Sequence, residues 1–398
     1  MSRRPHVALL IESSRAYGRG LLEGIARYVR THGPWAIYCP ERSLADDVPA
    51  WLAGWRGDGI IARVETRRLE KAILDTGLPA IDLRGKLDLD MPLIETNDRT
   101  VAHLAAQHLL DRGFRHFAYC GFAGVNYSLR RLRYFPTWLA ERGFYCHIYP
   151  PPDATVETGE PDDRSVTQIE QELHGILYEE DVAQWVASLP KPIGIMACND
   201  IRGQQVLNAC RAIGVHVPDE VAVVGVDNDV LLCELCDPPL SSVMPDTHRI
   251  GYEAAALLDR MMRGEKPPAA KTFIEPVGVI ARRSTDVTAI DDPQVARAVR
   301  YIREHACEGI TVEQVLDQVD ISRTALERRF AALLHRSPKA EILRVRLARV
   351  RELLAHTQLP LPEIAELTGF RHVEYMCTLF KEKTGQTPGQ YRRQHRLD

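Results

Sequence analysis

Residues 311–334 read TVEQVLDQVDISRTALERRFAALL, and residues 369–393 read GFRHVEYMCTLFKEKTGQTPGQYRR. In the first stretch Thr311 can cap a helix, Gln314 stands where a capping box wants Glu or Gln, and Val315, Leu316 and Val319 supply an apolar face. Asp320 and Ile321 make a tight turn. Ser322 caps the next helix, in which Leu326, Phe330 and Leu334 recur every four residues and leave Arg323, Thr324, Glu327 and Arg328 on another face. A short helix, a tight turn and a second helix with a polar N-terminal half make a helix-turn-helix unit. Its second helix suits the major groove, where Arg takes guanine edges and the helix N-terminus suits phosphate. About fifty residues on, the grammar returns: Ile364, Ala365 and Leu367 point inward and Gly369 turns the chain. The helix after it has Tyr375, Met376, Leu379 and Phe380 as its apolar residues, with His372, Glu374, Thr378 and Lys381 as its polar candidates for DNA contact. Between the units, LRVRLARVRELLAHT carries Leu343, Leu347, Val350 and Leu354 in one stripe and arginines elsewhere. Such a helix can hold two reading heads about 34 Å apart, in successive major grooves on one face of promoter DNA with tandem half-sites.

Upstream of Pro293 the pattern changes. An apolar run at 6–11 meets a helical pattern at 20–30 and another strand-like run at 35–39, and this alternation recurs for some 240 residues. Alternating strand and helix predicts doubly wound parallel sheets. Further strands read at 59–62, 80–83, 116–120, 146–149, 194–197 and 221–226, separated by helical stretches such as VAHLAAQHLLDRG and GQQVLNACRAIG. So many strands favour two sheets over one. Residues 150–165, polar and without periodicity, read as a surface loop. A last strand is predicted at 272–281, and STDVTAIDDP after it reads as a linker. The chain thus divides into an α/β domain at 1–285 and an all-α domain at 286–398.

Composition fits this division. The chain has 398 residues, 45% hydrophobic and 26% charged, which are globular averages at a length that calls for more than one domain. No stretch of about 18 apolar residues could span a bilayer. The apolar run in MSRRPHVALLIE stops at Glu12 without a cleavage pattern, so no signal peptide is expected and the location expected is cytoplasmic. Residues 1–290 hold 32 basic against 39 acidic side chains, and residues 291–398 hold 18 against 15, so the tail alone is basic. Nine cysteines, several inside apolar runs, read as reduced thiols. Cys233 and Cys236 form a C-x-x-C with neither a second pair nor histidines at zinc spacing, and read as ordinary thiols with no metal.

The front domain offers two chemistries. In Tyr17–Gly24, YGRGLLEG follows a strand and opens a helix, close to a dinucleotide fingerprint, which leaves open a nicotinamide-binding enzyme fused to a helical interaction module. Against it, the spacing is G-x-G-x-x-x-G, and six residues intervene where the tight turn should be immediate. No H-E-x-x-H, G-x-S-x-G or Walker loop is present, so neither an enzyme nor a cofactor is expected. The second chemistry is small-ligand binding at the carboxyl ends of the strands. Asn199 and Asp200 follow one strand, Asp227 and Asn228 follow another, Arg84 follows PAIDL, and Arg131 lies beyond a third. Carboxylates, amides and Arg are natural partners of sugar hydroxyls, and Tyr17 and Tyr127 could stack on a sugar ring. Each of these residues also has an alternative use as a helix cap or ion pair.

Two resemblances sharpen both halves. ISRTALERRF followed by GFRHVEYMCTLFKEKTGQTPGQYRR is similar to the AraC/XylS signature over residues 293–394. It implies base contacts from Thr324, Glu327 and Arg328. His372 stands where that family usually has a capping Ser or Asp, Thr378 where a base-reading Arg is common, and Asp320 where a turn glycine is expected. Asp tolerates left-handed backbone, so the turn is expected to survive. VAVVGVDNDVLLCELCDPPLSSV, with ACND before it and YGRGLLEGIARY at the start, resembles the LacI/GalR and periplasmic sugar-binding fold over residues 6–283. That resemblance implies two hinged lobes, 6–115 with 245–271 and 116–243 with 272–283, and a ligand set including Asp227, Asn199 and Arg131. A LacI-like sensor joined to an AraC-type tail implies a homodimeric transcription regulator, an activator working with RNA polymerase. Its implied effector is a sugar, D-xylose first, with another pentose or hexose as the alternative.

Overall fold

The first strand, β1 (His6–Leu10), buries Val7 to Leu10, as a strand covered on both faces must. The computed structural model describes residues 4–44, 46–149, 179–266, 271–286, 290, 292–334 and 336–395; the loop expected at 150–165 and linker residues 287–289 and 291 lie outside these. The chain forms two units, Met1–Ala289 and Ile290–Asp398.

In the first unit, β1 is followed by α1 (Ala16–His32), β2 (Ala36–Tyr38), β3 (Gly59–Ala62), α2 (Arg67–Leu74), β4 (Ala80–Asp82), β5 (Ile94–Thr96) and α3 (Asp98–Asp111). Next come β6 (His116–Cys120), α4 (Asn126–Ala140), β7 (Cys146–Ile148), α5 (Glu179–Ser188), β8 (Ile193–Ala197), α6 (Asp200–Ala212), β9 (Val221–Val226) and α7 (Val230–Leu235). The unit closes with β10 (Ser241–Met244), α8 (Thr247–Met262), β11 (Thr272–Ile274) and β12 (Gly278–Ile280). One sheet has the order β2-β1-β3-β4, all parallel. The other runs β12-β10-β9-β8-β6-β7, parallel except for the β12 edge. A parallel β5-β11 pair joins the first sheet through a bridge between Asp82 and Leu93.

The single strand expected at 272–281 is therefore two strands in two lobes. Pro276 lacks the N–H a continuous ladder needs, and Gly278 takes φ 149°, so the chain crosses between lobes there. β5 and β10 carry no alternation in sequence because one has three residues and the other buries serines as hydrogen-bonding groups. The glycines of YGRGLLEG serve packing. A Cβ at Gly24 would stand 2.1 Å from the His248 carbonyl oxygen, so this face of α1 lies directly on α8.

The second unit contains α9 (Pro293–His305), α10 (Val312–Leu316), α11 (Arg323–Leu334), α12 (Pro338–His356), α13 (Leu361–Leu367), α14 (Val373–Thr384) and α15 (Pro388–His395). The capping box at Thr311 and Gln314 forms as its spacing predicts. Two small cores result: Val299, Val315, Leu326 and Phe330 centre the first, and Ile364, Met376 and Phe380 the second. α12 joins them, with Ile342 in the first core and Leu347, Val350 and Leu354 in the second. The two turns differ. Gly369 takes φ 71°, whereas Asp320 does not adopt the left-handed backbone expected of it. Its amide instead donates to Gln294 Oε1 (3.0 Å) and its carboxylate pairs with Arg297 (3.3 Å), so α9 supports the turn from outside. Between the halves, the Arg346 guanidinium donates to the carbonyls of Ala306 (2.7 Å) and Ile310 (2.9 Å), and a Cβ on Gly369 would stand 2.7 Å from the Gly309 nitrogen.

Candidate functional site

A cavity opens where strands of both sheets end. Glu12 follows β1, Arg63 follows β3, Arg84 follows β4, Thr96 ends β5 and Asp227 follows β9. Tyr17 from α1, Asp98 from α3 and Tyr127, Arg130 and Arg131 from α4 complete the polar wall with Arg15 and Glu95. The space is about 490 Å³ including the open mouth.

Buried ion pairs organise this wall. Glu12 binds Arg63, and Arg84 binds Glu65, which Lys86 also reaches at 3.1 Å. Asp98 receives Arg130 Nε and Arg131 Nε, each at 2.7 Å, and Arg130 reaches Glu95 at 2.7 Å. Burial alone would lower the pKa of Arg131, but Asp98 and Asp227 outweigh it and raise the group. Burial pushes Glu95 up to about 7 even with Arg130 beside it, and Asp98 and Asp82 add to the rise. Glu12 is 1% exposed, and its Oε2 has no hydrogen-bond partner among the described residues. Carboxylates and guanidinium groups in near balance suit a neutral ligand whose hydroxyls both donate and accept.

Of the residues expected here, Tyr17, Arg84, Tyr127, Arg131 and Asp227 line the cavity. The tyrosine hydroxyls meet Thr96 Oγ1 (2.9 Å) and Asn199 Nδ2 (3.1 Å), and a guanidinium carbon lies 4.9 Å from the Tyr17 ring centre and 4.8 Å from that of Tyr127. Asn199 stands behind Tyr127 and caps α6 by accepting from the Arg202 amide (2.9 Å). Asp200 and Asn228 do not line the cavity. Asp200 accepts from Ser242 Oγ (2.6 Å) and the Asp229 amide (2.8 Å), and burial with Asp227 nearby pushes it up to about 8. Asn228 Oδ1 accepts from Arg282 (2.9 Å). Asp227 (φ 110°) and Asn228 (φ 48°) are the only non-glycine residues with positive φ among those described, a strain of the kind that marks functional turns. Cys233 and Cys236 are buried, and burial raises both thiols, Cys236 to about 11.

In the second unit, Ser322 Oγ accepts from the Ala325 amide (3.3 Å), which commits it to the cap of α11. Arg323 is drawn between Glu327 (3.1 Å) and Glu313 (2.9 Å), while Thr324 and Arg328 are exposed. On α14, His372 is the N-cap without a side-chain cap bond, Thr378 Oγ1 donates back to the Glu374 carbonyl (2.8 Å), and Glu374 and Lys381 are exposed.

Comparison with known proteins joins the two units. Residues 6–92 match the XylR N-terminal domain family, 106–285 the periplasmic binding protein-like domain family, and 315–394 a helix-turn-helix domain family. The xylose operon regulatory protein of Escherichia coli K12 is 32% identical over 98% of this chain and 97% of its own length. This chain belongs to the xylose operon regulatory protein family. The Haemophilus influenzae xylose operon regulatory protein is 30% identical, with 97% of each chain covered. A solved structure titled as a xylose-binding transcription activator, xylR, aligns over all of both chains at 30% identity with a TM-score of 0.78. The chain is thus a sugar-responsive, DNA-binding regulator and not an enzyme, with a periplasmic-binding-like domain ahead of its helical reader.

Within this family member, Glu12, Arg15, Arg63, Glu95, Thr96, Asp98 and Arg130 are cavity residues that the sequence pattern did not single out. A usable signal existed for three of them. Glu12 and Arg63 lie at or just past the ends of the predicted strands at 6–11 and 59–62, the same position that pointed to Asp227, and Arg130 neighbours Arg131. Glu95 and Thr96 lie on a short strand that nothing in the sequence pattern announced, and Asp98 opens the helix that VAHLAAQHLLDRG predicts, ahead of its apolar pattern.

Proposed function

We propose that this chain is a D-xylose-responsive activator of xylose-utilisation genes, binding the sugar among Tyr17, Arg84, Tyr127, Arg131 and Asp227 together with Glu12, Arg63 and Asp98. The reading rests on one observation above all. The cavity matches buried carboxylates to guanidinium groups and leaves Glu12 Oε2, on a lining residue, without a hydrogen-bond partner among the described residues. The names of the relatives, which specify xylose, supply the first sugar to test. Sugar closing the lobes shifts the population of sensor states, and a homodimer then presents its tails to tandem promoter half-sites beside RNA polymerase in the cytoplasm. Base contacts come from Thr324, Glu327 and Arg328 in the first reading head, with Arg323 and the Ser322 end of the helix on phosphate. Glu374, Thr378, Lys381 and His372 supply weaker contacts in the second. Calorimetry across D-xylose, L-arabinose, D-ribose and D-glucose tests the effector: heat with D-xylose is expected, and heat with another sugar but none with D-xylose overturns it. Light scattering with and without DNA tests the dimer.

A further inference from the structure

β9 delivers the chain to Asp227 and Asn228, both at positive φ, and only the first of them faces the cavity. Such a turn persists only when its surroundings over-determine it. The Asp227 amide donates to the Val243 carbonyl (3.0 Å), the Asn228 amide to Ser242 Oγ (3.0 Å), and the Asp229 amide to Asp200 (2.8 Å). A further side-chain bond to this turn comes from farther along the chain, where Arg282 donates to Asn228 Oδ1 at 2.9 Å. Arg282 lies just after β12, in the segment that leaves the sensor unit for the second unit beginning at Ile290.

Arg282 is fixed at its other bonds. Its Nε meets Glu234 (2.7 Å), its guanidinium also donates to the Leu240 carbonyl (3.1 Å), and its amide donates to Ser241 Oγ (2.7 Å). Three residues on, Thr285 Oγ1 shares hydrogen bonds with the same Ser241 Oγ (2.7 Å) and with His108 (2.8 Å), near the end of α3. The other end of α3 is Asp98, which holds Arg131 in the cavity. The exit segment is therefore hydrogen-bonded to two elements that reach the cavity wall, the turn after β9 and α3, and Arg282 bonds it to the strained turn. We propose that Arg282 is a positioning residue that transmits effector occupancy from the Asp227–Asn228 turn to the chain leaving the sensor unit. This rests on the reading of Asp227 as an effector ligand. A ligand that draws on Asp227 shifts Asn228, and the Asn228–Arg282 bond converts that shift into a displacement of residues 282–286.

The test uses the full chain with Arg282→Met, Arg282→Lys and Asn228→Ala. D-xylose affinity is measured by calorimetry, and affinity for a promoter fragment that the parent binds is measured by anisotropy with and without D-xylose. Arg282→Met is expected to keep D-xylose affinity within about threefold while the sugar-induced change in DNA affinity falls at least about fivefold. Arg282→Lys recovers part of the response. Asn228→Ala weakens the response too, and the double variant loses no more than the stronger single change, because both remove one bond. An unchanged response in Arg282→Met, or a response that falls only in step with sugar affinity, overturns the proposal. Should Arg282→Met fail to fold, Asn228→Ala decides, since it leaves Arg282 its Glu234 and Leu240 partners. A parent that gives no heat with D-xylose breaks the effector reading instead, and coupling is then measured with the sugar that does give heat.

Discussion

In the cavity, Arg63, Arg84 and Arg131 are 8%, 5% and 3% exposed, and each is bound to a carboxylate. On the reading helices, Thr324, Arg328, Glu374 and Lys381 stand in solvent and shape no core. The same residue types are thus used in opposite ways. A charge in the cavity is part of the fold before any ligand arrives, so removing it strands its partner. On the proposed reading, Arg328 and Lys381 wait for an external partner, so removing either is expected to cost binding and leave the fold alone.

The sharpest way to break this comparison is Arg131→Ala. It strands the buried Asp98 carboxylate on one side and is expected to cost about 3–5 kcal/mol in urea denaturation, as well as sugar binding by calorimetry. Stability within error of the parent would sink the distinction. Next comes pH. Glu95 is held up at about 7 against an ordinary 4.5, so the native state keeps a proton that the unfolded chain releases first. Its contribution to stability is therefore lost as pH rises from about 4.5 to about 7, roughly 3 kcal/mol in all, and Glu95→Gln should flatten that fall in denaturation profiles. On the reading side, Arg328→Ala should cost about 1–3 kcal/mol of DNA affinity and relax one base preference, with melting unchanged. The smallest effect is a gain. His372 makes no cap bond, so His372→Ser should add about 1 kcal/mol of thermal stability.

The two regions also differed in how plainly they could be read. Reading-helix residues lie within about ten positions of one another, and their 3.6-residue rhythm displays the exposed face, so Thr324 and Arg328 were legible at once. The cavity collects Glu12, Arg63, Asp98, Arg131 and Asp227 from five separated segments, and strand-end position marks only Glu12, Arg63 and Asp227 among them. Where that rule applied to a long apolar run, as at VAVVGV, it found Asp227. It could not point to Asp98, because β5 is three residues long and shows no alternation. Asp200 and Asn228 misled for a related reason. A polar residue after a strand can hold the turn that presents its neighbour, and sequence alone does not separate the two tasks. Asp320 shows the limit of local chemistry, since its turn is set by Gln294 and Arg297 from another helix.

The close approach of Gly369 to the Gly309 turn, with Arg346 donating to the carbonyls of Ala306 and Ile310, ties the two helix-turn-helix halves together at one tight contact. On the proposed reading of tandem half-sites, operator spacing becomes something the protein measures. With about 10.5 base pairs per turn, one inserted pair swings the second half-site round the helix axis by about 34°. Heads tied by that contact resist following, so the DNA is expected to twist or bend to meet them, at a cost set by its sequence between the half-sites. Base pairs that no side chain touches thereby enter the recognition code.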